Sequence, residues 1–276
     1  MTLDCAGRTL DLSQVQVMGI INVTPDSFSD GGRFHGVDAA LAQARKMVND
    51  GASILDIGGE STRPGAPDVS VEEELNRVIP AIEAIGSELD VVISIDTSKP
   101  QVMREAVASG AGLINDVRAL QEPGALAAAA DLQVPVCLMH MQGQPRTMQS
   151  APSYQDLVAD IMAFFAQRIR ACEQAGLAKE RLLLDPGFGF GKTQEHNFQL
   201  LAQLAQFQSL GLPLLTGLSR KSMFGGLLDR NVNERLAASL AGAMLCAQGG
   251  ASIVRVHDVR ETWDVLQVLA ATQRIK

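Results

Sequence analysis

The chain has 276 residues, of which 46% are hydrophobic and 20% charged, a composition that supports a packed core and excludes wholesale disorder. A net charge of −8 and only 4% aromatic residues exclude a general phosphate-neutralising surface for nucleic acid and a stacking platform for single strands. No apolar run is long enough for a membrane span, residues 1–15 carry no secretory core, and four scattered cysteines (Cys5, Cys137, Cys172, Cys246) predict a reducing, cytoplasmic setting.

Short β-branched runs alternate with amphipathic stretches along the chain. Strands are predicted at 15–21, 54–57, 91–95, 113–115, 135–139, 182–184, 212–215 and 253–256. Their apolar character is continuous, which marks strands covered on both faces, as in a parallel sheet. Helices are predicted at 38–49, 71–85, 101–108, 123–132, 154–174, 196–208, 233–248 and 261–272. Asp38, Ser70, Ser98 and Asn233 stand at N-cap positions, and Pro123 suits a first turn. Eight strands alternating with eight helices predict an α/β fold, a single (β/α)8 TIM barrel over residues 1–276. A doubly wound open sheet usually carries a glycine-rich turn after its first strand. Here that turn reads Asn22-Val23-Thr24-Pro25-Asp26, and no linker divides the chain.

In such barrels the chemistry sits at the C-terminal ends of the strands. Almost every predicted strand ends in polar residues there. In order they are Asn22; Asp56 with Glu60, Thr62 and Arg63; Asp96 and Thr97; Asn115 and Asp116; His140; Asp185; Ser219, Arg220 and Lys221; and Arg255 with His257. One such residue is an ordinary strand cap, but eight successive polar ends point to a site. Asp96, Asn115 and Asp185 offer acceptors suited to a planar heterocycle with several N–H donors. Arg63, Lys221, Arg255 and His257 add positive charge for phosphate or carboxylate, and an arginine can also stack on a ring.

His35, His140, His196 and His257 lie on separate segments, so a zinc site is not expected. An amide or carboxylate together with substrate phosphates suits Mg²⁺, which keeps most of its waters. His140, Cys137 and Met139 read as wall residues. Glycines cluster after strand ends at Gly31-Gly32, at Gly58-Gly59 and in Pro186-Gly187-Phe188-Gly189-Phe190-Gly191-Lys192, where they allow backbone to approach a ligand closely. The long loops after the first two strands suggest mobile lids.

Several stretches carry a resemblance. They are Met18 through Gly32, with Asn22-Val23-Thr24-Pro25-Asp26-Ser27-Phe28-Ser29-Asp30-Gly31-Gly32 at their end; Asp56-Ile57-Gly58-Gly59-Glu60-Ser61-Thr62-Arg63-Pro64-Gly65; Ile95-Asp96-Thr97; and Ile114-Asn115-Asp116. Leu138-Met139-His140-Met141-Gln142-Gly143, Asp185 through Lys192, Ser219-Arg220-Lys221-Ser222 and Arg255-Val256-His257-Asp258 follow. In this order they resemble the dihydropteroate synthase family, pterin-binding TIM-barrel enzymes of folate biosynthesis, over nearly the whole chain. No motif position departs from the family, and residues 33–37 of the first loop carry no assignable role.

The resemblance implies condensation of 6-hydroxymethyl-7,8-dihydropterin diphosphate with p-aminobenzoate, giving 7,8-dihydropteroate and pyrophosphate in an SN1-like manner. It implies a pterin pocket of Asp96, Asn115, Asp185 and Lys221, with Arg255 stacked on the ring and Met139 packed against it. Asn22 would meet the Mg²⁺ held by the diphosphate, and Thr62, Arg63, Arg255 and His257 would meet the diphosphate. Phe28, Thr62, Pro64, Phe190, Lys221 and Ser222 would line the aminobenzoate pocket, which sulfonamides would also occupy. The implied catalytic set is Asp96, Asp185, Lys221, Arg255, His257 and Arg63. A homodimer is expected, with helices 233–248 and 261–272 as interface candidates. The alternatives are a pterin-binding methyltransferase domain and a noncatalytic pterin-binding paralogue.

Overall fold

The computed structural model describes residues 1–24, 32–61, 66–143, 148 and 152–273, with the backbone alone at 32–35. The chain opens with an antiparallel hairpin, β1 (Thr2–Cys5) and β2 (Arg8–Asp11). Eight parallel strands follow: β3 (Gln16–Asn22), β4 (Ile54–Gly58), β5 (Val92–Asp96), β6 (Leu113–Asp116), β7 (Val136–Met139), β8 (Leu182–Asp185), β9 (Leu214–Thr216) and β10 (Ala251–Val256). They close a barrel in sequence order, with β10 pairing to both β3 and β9. The helices are α1 (Gly32–Asn49), α2 (Val71–Glu88), α3 (Pro100–Ala108), α4 (Ala125–Leu132), α5 (Leu157–Gln174), α6 (Gln194–Ala202), α7 (Ser222–Leu228), α8 (Leu236–Gln248) and α9 (Val259–Gln273). Among the described residues no helix is long and apolar enough to cross a membrane.

Strand alternation divides the side chains into two sets. Leu55 and Ile57, Ile93 and Ile95, and Leu182 and Leu184 point outward and join the helices' buried faces in one core. On α2 that face is Val78, Ile82 and Ile85, each fully buried and worth roughly 2 kcal/mol of apolar transfer. Ser70 caps the same helix by accepting from Glu73 N at 3.1 Å. The alternate residues point inward, and the first inward layer is apolar: Met18, Ile54, Val92, Leu113, Cys137, Leu183, Leu215 and Ile253.

That layer would meet water at the N-terminal end of the barrel if nothing covered it. The hairpin covers it, with Leu3, Cys5 and Leu10 buried in the same cluster. Apolar-run length finds no strand before residue 15, because β1 and β2 are short and alternate with period two. Their turn, Ala6-Gly7, holds φ of 54° and 86°, the signs of the tight turns that suit a twisted hairpin.

Helix ends differ from expectation in several places. Residues 33–37 belong to α1, so Asp38 lies inside the helix and does not cap it. Lys99 takes the cap position of α3, with Pro100 at its first turn, and the Ser98 hydroxyl turns to Asp116. Asn233 sits in a 3-10 turn capped by Asn231, and α8 begins after it. The stretch 196–208 divides into α6 and a 3-10 segment, Leu204–Leu210. α7, whose Gly225 and Gly226 disguise it, is a helix that periodicity misses.

Candidate active site

Two residues further along β4, β5, β6, β8 and β10, the inward layer turns polar. Asp56 on β4 is fully buried and pairs in register with Ser94 on β5, and Asp96 pairs with Asn115 on β6. Asp56 Oδ1 accepts from Ser94 Oγ at 2.5 Å. Its Oδ2 accepts from Asn115 Nδ2 at 3.0 Å and from Arg255 Nε at 2.6 Å. Arg255 Nη2 donates to Asp96 Oδ2 at 2.8 Å. Burial works against the Arg255 cation, but Asp56 and Asp96 outweigh it and hold its pKa above the ordinary value. Burial pushes the Asp96 carboxyl up to about 7; Arg255 opposes the rise, and Asp56, Glu74 and Asp116 add to it.

Asp185 ends β8 on the same floor. Burial raises its carboxyl above the usual range, against the Gly187 N–H that donates to Oδ1 at 2.8 Å and the charges of Lys221, Lys192 and Arg255. Lys221 sits at the cap of α7, with Nζ 4.3 Å from the centre of the Phe190 ring. Burial brings that amine down to about 8, with Asp185 resisting. Met139 is buried beside β8, in register with Asp185. The predicted residues Asp96, Asn115, Met139, Asp185, Lys221, Arg255 and Phe190 therefore share one end of the barrel.

The glycine loop after β8 has an anchor that residue types alone do not reveal. Lys192 is 2% exposed; its Nζ donates to Gly187 O at 2.9 Å and Phe190 O at 3.1 Å and lies 3.0 Å from His140 Nδ1. Gly187 has φ of 72°, and a Cβ there would lie 1.9 Å from the His140 carbonyl oxygen, so only glycine fits. Burial, with Lys192 beside it, pushes the imidazole of His140 down to about 2. His140 thus supports the wall as a neutral ring, edge-on to Phe164.

On the opposite rim, Asn22 ends β3, and its Oδ1 lies near Asp96 across Gly58, where a Cβ would stand 3.9 Å from Asn22 Oδ1 and 3.7 Å from Asp96 Oδ2. His257 follows β10, its Nδ1 3.0 Å from Ser219 Oγ. Sequence predicts a positive His257, but burial, Arg255 and Arg220 push its pKa down to about 4, so the ring is neutral near pH 7. Arg220 holds φ of 59° and makes a two-point pair with Asp258, Nε–Oδ2 at 3.0 Å and Nη2–Oδ1 at 2.6 Å. That pair ties the loop bearing Lys221 and the exposed Ser222 to the end of β10.

Other strand-end residues serve the scaffold. Asp116 is fully buried and takes Ser98 Oγ, Arg118 N and Leu120 N, which shapes the turn before α4. Glu60 pairs with Lys99, which also meets the buried Glu74 at 2.5 Å. Phe28, Thr62, Arg63 and Pro64 lie outside the described residues. Among the described residues no three His, Cys, Asp or Glu side chains gather as a metal site. The arrangement can present acceptors to a flat, donor-rich ring at the floor and cations around it.

Comparison with known proteins agrees with this chemistry. The family described as pterin binding enzyme matches residues 18–257. Dihydropteroate synthase of Escherichia coli K12 is 58% identical over 276 residues, covering 100% of this chain and 98% of that protein. The crystal structure of Yersinia pestis dihydropteroate synthase with a sulfonamide drug complex superposes with a TM-score of 0.95 at 56% identity, covering 99% of this chain and 100% of that one. Dihydropteroate synthase from Xanthomonas albilineans in complex with 7,8-dihydropteroate gives 0.91 at 53% identity, covering 99% of each chain. A pterin-binding barrel matched from its first barrel strand to His257, with a synthase 58% identical along its full length, belongs to the dihydropteroate synthase family.

Proposed function

We propose that the protein condenses 6-hydroxymethyl-7,8-dihydropterin diphosphate with p-aminobenzoate to give 7,8-dihydropteroate and pyrophosphate, a cytoplasmic step of folate biosynthesis. The observation that carries the reading is the floor of acceptors, Asp96, Asn115 and Asp185, set among the cations Lys221 and Arg255. A pterin edge presents several N–H donors, which carboxylates accept in pairs. Two of the Arg255 N–H groups are engaged by Asp56 and Asp96, which leaves its flat face for stacking on the ring.

In the reaction the C–O bond between the pterin methylene and the diphosphate breaks, and its electron pair leaves with pyrophosphate. The amine nitrogen of aminobenzoate forms the new C–N bond and loses a proton. An aromatic amine needs no activating base, and the barrier lies in the departure. Asp96 and Asp185 favour the electron-poor pterin left behind, while Lys221, Arg255, His257 and Arg63 favour the charge that gathers on the leaving group. Phe190, under the Lys221 amine, and Ser222 would meet aminobenzoate, a role the family resemblance also gives Phe28, Thr62 and Pro64. A single amide oxygen, that of Asn22, fits Mg²⁺ brought in by the diphosphate better than a resident ion held by protein alone. When bound there, Mg²⁺ would neutralise diphosphate charge.

The chain acts as one barrel unit and as a homodimer. Leu227 and Leu228 of α7, Leu236 and Leu245 of α8, and Val268 of α9 stay exposed, an apolar face that a second copy would cover. The test is pyrophosphate release from the pterin diphosphate with Mg²⁺, with and without p-aminobenzoate. Release that depends on aminobenzoate, with dihydropteroate as product and competition by a sulfonamide, is the expected result. Pterin binding without any release would overturn the synthase reading.

A further inference from the structure

We infer that Asp56 is a positioning residue of the pterin pocket: its buried carboxylate decides which pole of the Asn115 amide faces the barrel mouth and in which plane the Arg255 guanidinium lies. The inference rests on the pterin-pocket reading and adds to it a residue one layer below the ligand. Strand alternation places Asp56 inside the barrel above Ile54, with no exposure to solvent. Its carboxylate accepts from three donors: the Ser94 hydroxyl, the Asn115 amide nitrogen and the Arg255 Nε.

An amide's nitrogen and oxygen have nearly the same shape, so only hydrogen-bond partners decide its orientation. A carboxylate paired with arginine accepts and cannot donate. Asn115 must therefore turn Nδ2 inward, and Oδ1 is left for the mouth. The floor then presents an unbroken row of acceptors, Asp96, Asn115 Oδ1 and Asp185. Were the amide reversed, a donor would stand in that row and face the N–H groups of the pterin edge. The same carboxylate oxygen, Oδ2, also holds Arg255 Nε, so one atom sets both the edge partner and the ring partner of the ligand.

Substitution separates orientation from charge. Asp56→Asn can keep a carbonyl oxygen where Oδ2 stands, and the Ser94 hydroxyl can rotate to accept from the new N–H. Asp56→Leu and Asp56→Ser cannot supply that acceptor. The measurement is calorimetric binding of 6-hydroxymethylpterin to the full chain, for these variants, Asn115→Ala, and each Asp56 variant combined with Asn115→Ala. Loss of a buried hydrogen bond to the ligand predicts about tenfold weaker binding for Asn115→Ala, Asp56→Leu and Asp56→Ser. Asp56→Asn is expected to stay within about threefold of wild type. A positioning role predicts that the double variants bind no worse than the weaker single, because the two residues then act through one contact.

Equal loss in Asp56→Asn and Asp56→Ser would assign the effect to charge and overturn the orienting role. Near-wild-type binding by Asp56→Ser, with Asn115→Ala weakened, would overturn the inference and leave the pocket standing. Unchanged binding by Asn115→Ala would overturn the pocket reading itself. If neither Asp56→Leu nor Asp56→Ser folds, hydrogen exchange of the Asn115 side-chain amide in the wild-type protein decides. Slow exchange is expected for a donor held by Asp56, and exchange at the rate of a free amide would overturn it.

Discussion

Lys192→Met removes a buried amine that the β8–α6 loop closes upon, and two opposing effects set the outcome. The carbonyls of Gly187 and Phe190 lose a donor and the ring nitrogen of His140 loses its partner, at about 1–3 kcal/mol for each group left buried and unpaired. Against this, burial itself lowers the amine from its ordinary 10.5 to about 7. At about 1.4 kcal/mol for each tenfold change in proton affinity, that is about 5 kcal/mol of penalty on the charged form. Between these two values the unfolded chain holds the proton and the folded chain does not, so Lys192 makes stability rise with pH in that window. The variant lacks the slope. Urea unfolding of both proteins across the window should show the wild-type advantage smallest near the lower limit and growing by up to about 5 kcal/mol toward the upper. Parallel stability curves would refute the buried-amine account. Phe190 hangs from the same anchor, so the variant's KM for aminobenzoate should rise several-fold with that for the pterin substrate little changed.

Asp185→Asn and Lys221→Ala should each lower turnover on the order of a hundredfold, the cost of one preorganised charge-stabilising group; near-wild-type turnover in either purified variant would remove that residue from the site. The kcat/KM for the pterin substrate should follow a bell, falling below about 7 as Asp96 protonates and above about 8 as Lys221 loses its charge. Asp96→Asn should abolish the acid limb, and a profile whose acid limb survives that change assigns it elsewhere. Binding of the diphosphate substrate should take up a proton at His257, seen by calorimetry in buffers of different ionisation enthalpy. An uptake that persists undiminished in His257→Gln would deny it. Arg220→Ala, by freeing the Lys221 loop from Asp258, should raise the KM for aminobenzoate several-fold, and an unchanged KM would show that Asp258 does not position it.

What the residues revealed in advance was the repeating part of the fold. Apolar runs bounded by turns place β3 to β10 almost to the residue, because a parallel strand covered on both faces has no choice of composition. The polar residues just past those runs point to the mouth for the same reason: nothing in the scaffold asks for Asp96 or Asp185 there. The hairpin escaped because its strands are short, although Leu3, Cys5 and Leu10 already alternate with the period of a half-buried strand. Asp56 escaped as a supporting residue because it reads as one more strand end. Only the inward spacing Ile54, Asp56, Gly58 beside Val92, Ser94, Asp96 shows that it lies a layer deeper. Lys192 left no usable signal, since two of its three partners are backbone carbonyls and a lysine in a glycine loop ordinarily reaches water. The positive charge expected of His257 at its strand end does not hold, because residue type alone does not show its burial beside Arg255 and Arg220.

That last difference bears on how the site handles charge. The barrel mouth sets Asp56, Asp96 and Asp185 against Arg255 and Lys221, with Asp56 and Asp185 buried. Burial pushes three groups of the mouth toward neutrality even where a neighbour opposes it: Asp96 rises to about 7, Lys221 falls to about 8, and His257 falls to about 4. Arg255 keeps its charge, because Asp56 and Asp96 together outweigh its burial. A ligand with ring N–H donors supplies what Asp96 and Asp185 lack, and so favours their ionised forms. A diphosphate beside His257 offsets the burial, and the added repulsion from Arg255 and Arg220, that keep the ring neutral, and so favours its cation. Charges that burial makes costly are then completed by the substrate that needs them, beside the atoms where a departing pyrophosphate and an electron-poor ring would develop theirs.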